Sequence, residues 1–180
     1  DTYGVELDKS KFVVESRQYF KDAGHADSGG FIRDDGMAVI ASDSINAHTI
    51  AHEGLHLSAH ENMGMMPAGL KEGMTEYFAR QALPDSELGR SYPGDVSVVE
   101  KMQGQFGQNG EQILRDAYFE GDTVGLMNAY ESSGASGSFS AFSGAMNQGF
   151  AKERRGIITG AWRYREAFDA LSPIPPNPYK

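Results

Sequence analysis

The segment His52-Glu53-Gly54-Leu55-His56 decides how this chain is read, together with Lys71-Glu72-Gly73-Met74-Thr75-Glu76-Tyr77. On an α-helix, side chains four residues apart lie on one face, one turn above the other. His52 and His56 can therefore turn two imidazoles toward one ion. Glu53 projects to the side, within reach of a water on that ion. Two neutral nitrogens and a carboxylate, with a fourth position left to solvent, form the open catalytic set that zinc favours. A chain with 5 histidines in 180 residues seldom meets H-E-x-x-H by chance. The plain alternative is a helix carrying two unrelated histidines.

A third ligand should come from another element. The residue six after His56 is Asn62, where metzincins carry a histidine. The chain also has no cysteine, the additional ligand of peptide deformylases. The stretch from Pro67 to Ala79 resembles the second-helix signature of the gluzincins: a proline, an apolar residue, then E-G-x-x-E/D-Y. That resemblance implies that Glu72 is the third ligand. It also implies that Glu76, one turn later, accepts the free N–H of the first histidine, a partner that metal-bound imidazoles need. The reverse assignment, Glu76 as ligand and Glu72 as support, stays open. Gly73 favours the first, because a missing Cβ beside Glu72 lets the two site helices approach closely. A solvated acidic face is the bland reading of the pair.

The resemblance covers only His52 to about Ala79. It implies an α+β, zincin-like fold, mostly helical, with a small N-terminal β-hairpin or sheet beside the HExxH helix. It implies Zn2+ as cofactor and a protein or peptide as substrate. Glu53 would act as general base, taking a proton from the water and returning it to the leaving amine. Zincins usually add a Tyr or His that steadies the oxyanion. Tyr77, Tyr92, Tyr118, Tyr130, Tyr164 and His48 are available, and spacing does not choose among them. Two other functions remain open: a catalytically silent zincin-fold binding module, and a zinc hydrolase of a non-peptide amide such as a cell-wall crosslink. An intact Glu53 speaks against the silent module, since a structural zinc site needs no base.

Composition bounds the rest. A chain of 180 residues suits one domain, read here as 1–180 with an extended Pro-rich tail at 172–180. Apolar content of 39%, with 10 Phe and 8 Tyr, is enough for a core. A net charge of −9 argues against nucleic acid, whose phosphates require Lys/Arg patches. No apolar run approaches the roughly 20 residues of a membrane span, and no signal peptide is seen. Starting at Asp1 rather than Met reads as a processed or trimmed piece, so targeting is not legible; the peptidase reading goes with a secreted enzyme or a toxin/effector domain released from a larger polypeptide.

Along the chain, Asp8 can cap a helix over about 9–23 that stops at Gly24. Gly30–Arg33 and Met37–Ala41 flank Asp34-Asp35-Gly36 as a hairpin. By the same resemblance, Met37–Ala41 would be the edge strand that pairs with an extended substrate; an ordinary structural hairpin is the even alternative. Asp43 or Ser44 should cap the HExxH helix, about 45–61. His48 and His60 continue the four-residue steps, but at about 3.6 residues per turn they drift off the metal face. Met63, Met65 and Met66 follow as pocket lining or core filler. Helices are expected over about 68–81, 95–106, 109–119, 122–130 and 139–152, with a short one at 162–168. The run Ala117-Tyr118-Phe119-Glu120-Gly121-Asp122 is similar to runs after the zinc helices of small bacterial metallopeptidase domains, including toxin-terminal ones. Ser132–Gly144, rich in Gly and Ser, reads as a loop, over the cleft or plain.

Overall fold

The protein is seen in a computed structural model that describes residues 7–83, 91–154 and 165–171. The fold is α+β: helices predominate, with one three-stranded sheet. Contacts divide the chain into two compact units. One holds the residues up to Ala59 and those of Phe78–Arg90. The other holds His60–Tyr77 and the residues from Ser91.

In the first unit, Asp8 does cap a helix, but only a three-residue 3-10 turn, Lys9–Lys11. Phe12–Glu15 then forms strand β1, which corrects the expected 9–23 helix. Phe12 and the β-branched Val13 and Val14 suit a pleated surface, and β1 gains a parallel ladder to β3 with Val13 opposite Val39. Ser16 then caps a new helix, α1 (Arg17–Asp22), its hydroxyl accepting from Tyr19 N. Gly24, at φ 81°, turns the chain out of it.

Strands β2 (Gly30–Ile32) and β3 (Ala38–Ala41) form the expected hairpin, with Gly36 at φ 77° in the turn. The sheet order is β1-β3-β2. The Met37–Ala41 segment is therefore central, not an edge, because β1 takes up its second side. All four β3 residues are buried. Phe20 of α1 packs on Val39 and Ala41, with Tyr19 and Phe31 around them, and Phe20 meets Phe31 edge to face at 5.2 Å. On the opposite face of the sheet lies α2 (Ala47–Ser58), which contacts β2 and β3.

The second unit begins with a 3-10 turn, Glu61–Met65, and the body of α3 (Ala68–Ala82). It continues with α4 (Pro93–Gln105), α5 (Gly110–Arg115) and a π-helical turn, Asp116–Glu120. Gly121, at φ 78°, closes that turn and Asp122 caps α6 (Thr123–Ser132), its carboxylate accepting from Gly125 N at 2.8 Å. Next comes α7 (Phe139–Arg154). The helical stretch from Phe139 shortens the expected Ser132–Gly144 loop to about half. The short helix α8 (Arg165–Ala170) overlaps the expected 162–168 helix, whose first residues lie outside the described ones, as does the 172–180 tail. Tyr130 anchors the core of this unit, with Phe142 and Phe139 at ring separations of 5.0 and 5.5 Å.

Among the described residues, no helix is long and apolar enough to cross a membrane.

Candidate metal centre

Helix α2 starts later than its sequence implies. Asn46, not Asp43 or Ser44, is the cap: its carbonyl oxygen accepts from Thr49 N at 2.9 Å. Asp43 and Ser44 are engaged elsewhere. Arg17 donates from Nε to Asp43 at 3.0 Å, from one terminal nitrogen to Asp43 and Ser44, and from the other to the carbonyls of Ala26 and Ser28. This fork ties the loop before β2 to the loop before α2. Its charge-assisted bonds hold the Asp43 carboxyl below the ordinary carboxylate value and raise the Arg17 guanidinium.

On α2, His52 and Glu53 are buried and His56 half-buried. The two histidine Nε2 atoms lie 3.2 Å apart, with ring planes at 77°. Two nitrogens about 2.0–2.1 Å from one ion, at a tetrahedral angle, would stand about 3.3 Å apart. The His pair thus has the spacing of a zinc chelate. His52, His56 and Glu72 each offer a ligand atom, and these atoms all lie within 4.8 Å of one another. Two neutral nitrogens and a carboxylate oxygen are the donor set of an open zinc site, so these residues fit the ion. The difference between 4.8 Å and tetrahedral spacing is within reach of a carboxylate rotating about its terminal bonds.

Glu72 is half-buried on α3, and Glu76 is fully buried one turn further on, outside the three-residue group. Gly73 packs closely on α4. A Cβ there would meet Asp95, at 2.8 Å from its carbonyl oxygen and 3.0 Å from its Cβ. The glycine admits the first turn of α4. Asp95, expected only as a helix start, is itself completely buried at this contact.

Glu53 has a neighbour that its sequence context did not announce. Its side chain lies against Gly30 of β2, where an added Cβ would be 2.6 Å from Oε1. The available signal was a glycine within a strand, which often marks a close approach of another group.

The flanking residues part company. His48 remains on α2, half-buried, its ring 6.2 Å from that of His52. His60 is off the helix. It caps the 3-10 turn, with Nδ1 accepting from Asn62 N at 3.1 Å, and its own N–H donates to Tyr118 O at 2.8 Å. Of the tyrosines weighed as oxyanion donors, Tyr118 is fully buried and shares a 2.7 Å hydrogen bond with Thr75. Tyr130 is also fully buried, and its hydroxyl faces the Ser136 carbonyl at 3.5 Å. Tyr77 is buried, Tyr92 stands at the start of α4, and Tyr164 lies outside the described residues. The methionines divide as both readings foresaw: Met63 is core, while Met65 and Met66 line a cavity of about 350 Å³ with Pro67, Met127 and Phe139.

Comparison with family models, with curated proteins and with solved structures finds no match to this chain.

Proposed function

We propose that this chain is a zinc-dependent endopeptidase of gluzincin type, with a zincin-like arrangement of the HExxH helix beside a small sheet. The observation that carries this reading is the convergence of His52, His56 and Glu72, with the buried Glu53 next to the first histidine. His52, His56 and Glu72 would hold the ion. When bound, zinc would supply Lewis acidity, which acidifies a water and polarises a carbonyl. Glu53 takes the water's proton on its carboxylate and returns it to the leaving amine. Glu76 steadies a histidine ring by accepting its outer N–H.

Strand β2 replaces β3 as the substrate-binding edge in this reading. Ala41 N donates to Gly29 O at 2.9 Å and Arg33 N to Met37 O at 2.8 Å. By antiparallel alternation, Gly29, Phe31 and Arg33 bond inward to β3, so the main-chain groups of Gly30 and Ile32 face the outer edge. Ser28 Oγ donates to the Gly30 carbonyl. Both main-chain groups of Ile32 thus face the outer edge, which supports an extended polypeptide as substrate.

Digestion of a peptide library by the zinc-loaded full chain, with Glu53→Gln as control, tests the reading. Discrete cuts that vanish in the control are expected. Zinc binding with no cleavage in any peptide would replace the peptidase with a silent binding module.

A further inference from the structure

We propose that Gly30, on β2, is the positioning residue for Glu53: its missing side chain is the space in which the carboxylate arm lies. A Cβ on Gly30 would come within 2.6 Å of Glu53 Oε1, 2.7 Å of Cγ and 2.8 Å of Cδ. Three atoms along one side chain thus occupy the space that a Cβ on Gly30 would take. Both residues are buried.

Backbone conformation does not explain this glycine. Gly30 is absent from the glycines at positive φ, so its main chain is open to any residue. What it supplies is room. The strand cannot supply that room by moving away. Gly30 is paired with Ile40, and its neighbour Gly29 accepts from Ala41 N. The preceding loop is held by Arg17, through the carbonyls of Ala26 and Ser28 and through Asp43 and Ser44 on the far side. In a contest between a laddered strand and the end of a rotatable side chain, the side chain gives way. An alanine at this position should therefore fold and rotate Glu53 out of its place.

Gly29 supplies the internal control. A Cβ there would rest at 3.5 Å from Ser44 Cβ and 3.7 Å from Thr49 Cγ2, ordinary contact distances. It too is free of positive φ. Two adjacent glycines in one segment thus differ only in whether Glu53 occupies the space.

The placement is independent of chemistry; its catalytic meaning rests on the peptidase reading. The test is the pair Gly30→Ala and Gly29→Ala in the full chain, with crystal structures, melting temperature, zinc affinity by chelator competition, and separate kcat and KM. Gly30→Ala should move the Glu53 carboxylate while the His52–His56 pair and zinc affinity stay as in the parent. Its kcat should fall by about 10²-fold or more, the scale of general-base catalysis, with KM little changed. Gly29→Ala should match the parent throughout. An unmoved Glu53 with parental kcat in Gly30→Ala overturns the proposal. So does loss of folding or of zinc in that variant, which would make Gly30 a packing residue. A displaced Glu53 in a chain whose parent cuts no peptide upholds the placement and removes the peptidase reading instead.

Discussion

Tyr118 and Thr75, 43 positions apart in the chain, share a buried hydrogen bond of 2.7 Å between their hydroxyls. Thr75 donates in turn to the Lys71 carbonyl at 2.9 Å, so the Tyr118 hydroxyl is the donor to Thr75. This pins the π-helical turn of Asp116–Glu120 to the helix that bears Glu72 and Glu76. Tyr118→Phe should therefore cost about 0.5–1.5 kcal/mol in urea unfolding, the net worth of one such bond, and leave kcat near parental. A large fall in kcat without loss of stability would return Tyr118 to the list of oxyanion donors.

In the proposed reaction Glu53 is the general base, and its amide analogue keeps the shape but not the proton affinity. Glu53→Gln should bind zinc as the parent does and lose about 10²–10⁴-fold or more in kcat. Near-parental turnover would remove Glu53 from the chemistry.

The proposed roles of Glu72 and Glu76 differ in what their loss should do. Glu72→Ala should lose zinc at micromolar concentrations, whereas Glu76→Ala should weaken binding only about 10–100-fold. Chelator competition decides between them, and the opposite ranking exchanges the two roles.

Arg17 holds Asp43 below its ordinary value of 3.8. A carboxylate with a lowered folded-state pKa adds stability at pH above its unfolded value, and that stability is lost as pH falls through the folded value. Thermal stability should thus be flat near neutral pH and decline below about pH 4, where Asp43 takes up its proton. Asp35, held low by Arg33, adds to the same limb. Asp43→Asn should be less stable at pH 7 and show a shallower acid decline. Parallel profiles for the two proteins would mean that the fork contributes nothing.

The juxtaposed histidines of the candidate metal group were legible because their signal is local, whereas Glu72 was read only from the family resemblance. Four-residue spacing on one helix places His52 and His56 together whatever surrounds them. Helices α3, α6 and α7 were legible in the same way, α6 through its Asp122 cap and α7 through Phe142, Met146 and Phe150 at helical intervals. The first strand was hidden because Asp8 and Gly24 are genuine helix punctuation, but for a one-turn 3-10 segment and for α1. Only the distant β3 makes Phe12–Glu15 a strand. The misplacement of the edge followed from that single miss, since β3 is central only once β1 is counted. Gly30, as a strand glycine, signalled at most a close approach of some group; that the group is Glu53, on another element, neither position announces.

The proposed binding of one divalent ion by His52, His56 and Glu72 together underlies the peptidase reading. Its most direct measurement is an equilibrium zinc titration of the metal-free full chain beside His52→Ala, His56→Ala and Glu72→Ala. One saturable ion per chain is expected in the parent, with loss of that site in each variant and folding retained by circular dichroism. No saturable site in the parent, or one that persists in the folded variants, would contradict it.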